Sequence, residues 1–415
     1  MRKEKYEVVV VGAGPAGSVA AKTAAERGAE VLLIERNAEI GTPVKCAEGV
    51  SKELERFVEV DRKWVCAGVS GITTYGPDGT KFVLTGEGTA EAGYVLDRRL
   101  FDRFLAQQAA DAGAEVRVRT QACGLVREAG VGTSAGGAGS VKGVYARSTE
   151  AGRSAEAGEG EDIRISADVV VAADGVESRV GRWAGIETRL RPSEVATCAE
   201  FLICGIEFNR DYCELFFGDE IAPKGYAWVF PKGGDCANVG VGIGGDVSGE
   251  KHRAFDYLRA FVRERFPDGA GKVVAEICGA VPLSGPLRET TADGLVLVGD
   301  AARHVNPFTG GGILYAIQAG EIAGEVVAKA VREKNFSKRR LREYEKRWRK
   351  EFGRVLWVGL KMKNVVLGLS SQELARFFQA LDGEVRMKEY SERAFMKEVI
   401  KRNSRFLYSL ARFLI

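Results

Sequence analysis

The chain contains no run of eighteen apolar residues, no C-x-x-C pair and only two histidines, His252 and His304. Without about twenty consecutive apolar residues no helix can cross a bilayer. The eight cysteines are scattered, with neither a Cys/His cluster at metal-ligand spacing nor the grouped cysteines of an iron–sulfur centre. They are expected to be reduced thiols of a cytoplasmic protein. MRKEKYE leads straight into a valine run, so no signal peptide is expected. Large apolar residues are nearly missing from residues 130–162, apart from Val131, Val141, Val144 and Tyr145. That composition predicts an exposed hairpin or a mobile loop.

Glycine, in contrast, is abundant, at 52 of 415 residues, and it is grouped where it carries meaning. In YEVVVVGAGPAGSVAAKTAAERGAEVLLIER, residues 6–36, a buried strand is followed by Gly12, Gly14 and Gly17 in G-x-G-x-x-G order, an alanine-rich helix and a second strand ending on Glu35. Gly12 permits the tight turn, Gly14 lets a pyrophosphate approach the backbone, and Gly17 packs helix on strand. Glu35 is placed to hold a ribose 2′-OH and would repel a 2′-phosphate, which points to FAD or NAD and away from NADP. The next loop, NAEIGTPVKCAEGVS, returns over the nucleotide site. There Lys45 and exposed N–H groups are expected to lower the pKa of Cys46, whereas a buried structural cysteine would be inert.

Downstream, ITTYG and KFVLT flank a Pro-Asp-Gly turn and predict a hairpin. A helix over residues 96–112 begins with Arg98, read as either a solvated charge or a cofactor contact. Residues 168–173 predict a strand closed by Asp174-Gly175, a second turn of the kind that lines a cofactor. Short β-runs from Thr197 to Gly244 predict an antiparallel sheet. Within it PKGYAWVFP places Tyr226, Trp228 and Phe230 on one strand face, as core packing or as a cavity wall. A strand at residues 295–298 then runs into GDAARHVNPFTGGG. Asp300 can accept from a sugar-alcohol hydroxyl, and N–H groups near Gly311, Gly312 and Ile313 can hold negative charge on a reduced flavin. His304 lies nearby and reads more readily as structural than as chemical. A protein using NAD alone has no need of this second site.

With GAGPAG, the Asp174-Gly175 turn and GDAARHVNPFTGGG in this order, the first 330 or so residues resemble flavoproteins of the aromatic-hydroxylase type. PKGYAWVFP, KCAEGVS and ANVGVG resemble the geranylgeranyl reductase family, including the archaeal digeranylgeranylglycerophospholipid reductases. The resemblance implies an α/β fold, α+β overall: a Rossmann-like FAD-binding domain (residues 1–70, 97–185 and 280–330), an antiparallel-sheet substrate domain (71–96 and 186–279) and a helical C-terminal region (331–415). It implies FAD held by Gly12, Gly14, Ala16, Gly17, Glu35, Arg36, Arg98, Ala122, Asp174, Asp300, Gly311, Gly312 and Ile313. The loop Cys46, Ala47 and Gly49 would cover the flavin ring, with Cys46, Tyr226 and Trp228 beside the reacting alkene. The family often has glycine after the cysteine where this chain has Ala47.

The activity implied is saturation of isoprenoid double bonds, in a membrane ether phospholipid or in geranylgeranyl diphosphate, by flavin hydride transfer plus proton addition. Its partners would be the isoprenoid lipid and an external electron donor, reduced ferredoxin or a nicotinamide nucleotide; no nucleic acid is expected. The same fold would also suit a flavin monooxygenase acting on an aromatic substrate, or an electron-transfer flavoprotein serving a quinone, though the missing cysteine cluster argues against the latter. Finally, the C-terminal third is basic, and RAFMKEVIKRNSRFLYSLARFLI, residues 393–415, reads as a basic amphipathic helix. It would either dock on the protein's own core or make a peripheral contact with an anionic membrane surface.

Overall fold

The computed structural model describes residues 1–86, 92–128, 139–149, 160–249, 252–267, 271–387 and 392–402. The nucleotide-binding sheet grows from the valine run. Strands Thr291–Ala292, Leu295–Leu297, Glu161–Ala172, Arg2–Val11, Val31–Ile34 and Glu115–Arg117 lie side by side in that order. The four pairings from Leu295–Leu297 across to Glu115–Arg117 are parallel. Alternation along the strands divides the core between two faces. Val8, Val10 and Leu33 face the helices Pro15–Glu26 and Ile313–Arg332, while Val9, Leu32 and Val170 face the opposite layer. Both helices are rich in alanine and glycine, which lets their backbones touch: a Cβ on Gly320 would sit 2.5 Å from the Ala16 carbonyl oxygen.

Ser140–Ser148 pairs antiparallel with Glu161–Ala172 and with Thr120–Glu128, which is the hairpin alternative of the two expected there. Val141 and Val144 are buried and explain why the chain is held there. The rest of that low-complexity stretch, residues 129–138 and 150–159, lies outside the described residues.

A second sheet, eight-stranded among the described residues, follows the order Lys272–Pro282, Val195–Cys204, Cys236–Gly244, Tyr226–Pro231, Tyr212–Phe216, Gly71–Tyr75, Lys81–Gly86 and Gly383–Met387. It is antiparallel except at two joints, where Tyr212–Phe216 meets Gly71–Tyr75 and where Gly383–Met387 meets Lys81–Gly86. The last strand comes from the C-terminal region, which is therefore not wholly helical. One face buries Ala199, Phe201, Val229 and Val239 against the helix Ala254–Arg265. The other face is left for the cavity described below.

Gly93–Leu96 does not join this sheet. It pairs with Gly49–Ser51 and Val65–Val69 in a small three-stranded sheet beside the helix Arg98–Asp111. Cys204 and Cys236, opposite one another on adjacent strands, are joined in a disulfide, which corrects the expectation that all the cysteines are reduced. The other six are free.

The C-terminal helix Lys338–Trp348 and the turn Arg349–Gly353 pack on the long helix Ile313–Arg332 through Leu341, Tyr344, Trp348 and Phe352, and the helices Arg354–Val366 and Ser371–Gln379 add Leu356, Met362, Phe377 and Phe378 to the same core. The helix Glu392–Arg402 docks on the same core by Met396 and Val399. Residues 403–415, the remainder of the expected amphipathic helix, lie outside the described residues.

Candidate active site

Three glycines at the first turn do three separate jobs. Gly12 has φ +103°, and a Cβ there would meet the Ala173 carbonyl oxygen at 2.4 Å. A Cβ on Gly17 would lie 1.9 Å from the Gly12 oxygen, so helix and strand meet with no room between them. Gly14 is different, because a Cβ on it would enter open space, the cleft into which a pyrophosphate must come. Ala13 N–H donates to the Glu35 carboxylate at 3.1 Å and Asn37 N–H donates to it at 2.9 Å, fixing the acid at the end of its strand. Glu35, Arg36, Arg98, Ala122 and Asp174 all line one cleft of about 240 Å³ beside this turn. Asp174 accepts from Val180 N–H through Oδ2, while its Oδ1 is buried with no partner among the described residues. A buried orphan acceptor facing the cleft suits a hydroxyl-bearing ligand.

Arg98 is not a solvated charge. Its guanidinium grips Asp102 in a two-point pair at 2.7 and 2.8 Å, one helical turn on, and both are largely buried. Arg98 also lines the second, larger cavity, of about 740 Å³, whose wall includes Gly14, Pro15 and Ala16. Asp300, Gly311, Gly312 and Ile313 line that cavity, as do Cys46, Ala47 and Gly49. Burial raises the Asp300 carboxyl above its usual range, against the pull of Arg98 and Arg303. The helix Ile313–Arg332 opens at Gly312, whose missing Cβ would lie 3.4 Å from Asp300 Oδ1. Gly311 N–H is already donated to Thr309 Oγ1 at 3.1 Å, so an anionic ring edge would fall to the positive dipole end of the helix that starts at Ile313.

The thiol of Cys46 departs from the sequence-based expectation. Burial pushes it up, and the nearby Arg98 guanidinium and the Glu48 N–H only partly offset this. Lys45 is exposed and stands at the rim of both the cleft and the cavity. The loop is held from beneath by Glu48, which has φ +71° and is buried. Glu48 accepts from Arg98 N–H at 2.8 Å, from Asn238 Nδ2 at 2.7 Å and from Lys232 Nζ.

Tyr226, Trp228 and Phe230 all line the cavity. Tyr226 donates its hydroxyl to the Thr309 carbonyl, which ties the strand to the glycine-rich loop. Phe230 lies on Gly49, where a Cβ would be 2.9 Å from its ring. From this wall the cavity runs on to Val366, Phe377, Phe378, Leu381 and Val399, an apolar far end supplied by the C-terminal helices.

This site has close counterparts. Residues 5–211 match the family model of an FAD binding domain, and residues 194–281 match that of the geranylgeranyl reductase catalytic domain. The chain is 47% identical over 412 residues to the digeranylgeranylglycerophospholipid reductase of Methanosarcina mazei, covering 98% of this chain and 96% of that one. It is 45% identical to the protein of the same name from Methanothrix thermoacetophila, covering 98% of each. The chain belongs to the geranylgeranyl reductase family. FAD is its cofactor.

Among solved structures, a geranylgeranyl bacteriochlorophyll reductase-like protein from Thermoplasma acidophilum superposes with TM-score 0.89 at 33% identity, covering 99% of both chains. The p-nitrophenol 4-monooxygenase of Pseudomonas putida superposes at TM-score 0.66 with 18% identity, covering 97% of this chain and 99% of that one, a likeness of fold alone. The catalytic-domain match falls on the second sheet, whose cavity face carries the aromatic strand.

Sequence reasoning missed several residues of this family site. Asp102 had a readable signal, an acid four residues after Arg98 on one helix face. Glu200 had a weaker one, a lone carboxylate in the apolar strand VATCAEFLIC. Lys232 and Asn238 had none, because only the sheet brings them to Glu48. His304 is near the site in sequence but is enclosed by Tyr344, Trp348 and Phe352, and it does not line the cavity.

Proposed function

We propose that this chain saturates the geranylgeranyl chains of a digeranylgeranylglycerophospholipid. The continuity of the cavity supports this reading most directly. It is lined by the cofactor-side groups Ala16, Asp300 and Gly312 and by Tyr226, Trp228, Phe377, Phe378 and Leu381, and Tyr226 links the two groups, bonded to the Thr309 carbonyl on one side and in ring contact with Phe217, which meets Phe378, on the other. Such a shape suits a long apolar chain laid across a flavin. An isolated alkene has no carbonyl to polarise, so the protein must hold it in place and exclude water while two hydrogens are added. When bound, the flavin supplies the hydride. Tyr226 and Trp228 wall the alkene, and the Cys46–Gly49 loop, braced by Glu48, covers the ring.

The test is anaerobic. Dithionite-reduced protein is incubated with unsaturated ether phospholipid and, separately, with geranylgeranyl diphosphate, and the products are weighed by mass spectrometry. Gain of two hydrogens per double bond in the phospholipid is expected. Oxygen-dependent gain of an oxygen atom would overturn the reading in favour of a monooxygenase.

The physiological reductant in this reading is external, either reduced ferredoxin or a nicotinamide nucleotide; anaerobic flavin bleaching by each separates the two. The protein works from the cytoplasm against an anionic membrane surface. No helix among the described residues is long and apolar enough to span a bilayer. Lys397 and Lys401 are exposed on the helix Glu392–Arg402, whose Val399 lines the far end of the cavity. That placement brings basic charge to the end at which a lipid tail would enter.

A further inference from the structure

Glu200 lies in a row of three residues on neighbouring strands. It is paired in register with Gly240, and Gly240 is paired with Trp228. Because Gly240 has no side chain, the Trp228 indole lies across it; a Cβ there would be 2.2 Å from the ring. The indole Nε1–H thereby reaches the next strand and donates to Glu200 Oε2 at 2.9 Å. The other carboxyl oxygen, Oε1, is buried and has no partner among the described residues. Glu200 is 2% exposed, yet it stands in the wall of the large cavity beside Cys198 and Ala199.

A structural carboxylate at such a depth would normally be paired with a cation or fully hydrogen-bonded. Here the nearest cation, Lys232, is bound instead to Glu48 and to the Leu96 carbonyl. Burial pushes the Glu200 carboxyl up to about 8; the Trp228 N–H and Lys232 oppose this and Glu48 reinforces it. The remaining titratable neighbours are the thiols of Cys46 and Cys198, both raised by burial. Burial thus favours the protonated carboxyl at neutral pH, and the group is oriented through one oxygen and unengaged at the other among the described residues.

We propose that the Glu200 carboxyl is the acid of this site and supplies the proton that completes alkene reduction. One alkene carbon accepts hydride from the reduced cofactor, and the π electron pair forms a bond from the other carbon to the Glu200 proton. The alkene gains the two electrons that the cofactor loses. Glu200 is left as the carboxylate and regains its proton from water before the next turnover. Trp228 is then a positioning residue as well as a cavity wall. This assignment rests on the reductase reading above.

The test uses FAD-loaded protein and the variant Glu200→Gln, which keeps an acceptor for Trp228. FAD content and reduction by dithionite should be unchanged, while anaerobic saturation of the phospholipid in a single turnover should slow roughly 100-fold or more, the span of general-acid catalysis. The wild-type rate should fall as pH rises through about 8, a limb absent from the residual rate of the variant. Independently of turnover, wild-type protein should show an infrared band of a protonated carboxyl that disappears over the same pH range and is missing from Glu200→Gln. Saturation by Glu200→Gln at the wild-type rate, or no difference in the band, would overturn the assignment of Glu200 alone. Absence of saturation by wild-type protein would overturn the reductase reading itself. Should Glu200→Gln lose FAD, Glu200→Asp decides: FAD retained with slowed saturation supports the assignment, and an unslowed rate overturns it.

Discussion

At the scale of single residues, the glycines of the first turn separate folding from cofactor binding. Gly14→Val adds atoms where the protein has none, so the variant should fold with near wild-type thermal stability and lose most of its FAD, measured by absorbance after gel filtration. Gly17→Val drives a side chain into the Gly12 carbonyl and should instead give little folded protein. Full FAD occupancy in Gly14→Val would remove that turn from the cofactor site. His304 makes a different residue-scale prediction. Burial, aided by Arg349, lowers its pKa from 6.5 to about 3, and both ring nitrogens lack partners among the described residues. The folded state thus prefers the neutral ring, and between pH 6.5 and about 3 the unfolded chain binds more protons. Stability from this site is complete above pH 6.5 and is lost as pH falls, by on the order of 5 kcal/mol over the whole window. In His304→Leu the loss of stability on acidification, followed by urea unfolding, should be correspondingly shallower.

At the scale of elements, the aromatic strand Tyr226–Pro231 lines the cavity and touches two loops, through the Tyr226 hydroxyl at the Thr309 carbonyl and the Phe230 ring at Gly49. Trp228→Ala removes an indole that fills the space over Gly240 and holds Glu200, so turnover should fall steeply while FAD content stays high. Tyr226→Phe is milder. It removes the hydrogen bond to the Thr309 carbonyl and should cost about 1 kcal/mol of thermal stability, with the loop ahead of Ile313 exchanging its amide hydrogens faster. FAD loss equal to the loss of turnover would place these side chains in the cofactor site and not on the substrate side. The strand could be read from its alternating aromatics and flanking prolines. Its partners could not, because Glu200, Gly240 and Trp228 become neighbours only through the register of three strands.

At the scale of the whole molecule, the helix Glu392–Arg402 both lines the cavity through Val399 and carries exposed charge. Met396 and Val399 are buried in the protein's own core, and Arg402 is paired with Glu398 and lies over the Phe82 ring. Reversing Arg402 would therefore disturb docking as well as charge. Lys397 and Lys401 are both exposed, and although Lys401 lies 3.8 Å from Glu398, an exposed pair of that kind contributes little to docking. Binding to anionic liposomes should weaken with salt, and Lys397→Glu with Lys401→Glu should reduce it by about 1 kcal/mol per lysine removed, with FAD content intact. Flotation unchanged by the pair would assign this helix to core packing alone.

Local chemistry is what the sequence determined by itself. The βαβ unit, the three glycine-bearing turns and the aromatic strand are each written in contiguous residues, because turn geometry, helix starts and strand alternation depend on neighbours along the chain. The family resemblance rested on those same short stretches. Long-range register, burial and the enclosure of space were decided by the tertiary structure. Only it buried Cys46 enough to raise its thiol, joined Cys204 to Cys236, returned a C-terminal strand to the substrate sheet and surrounded Glu200 with apolar wall. The physical reason is that a group's ionisation and partners depend on what lies around it in space, and in this chain those surroundings come from segments far apart in sequence.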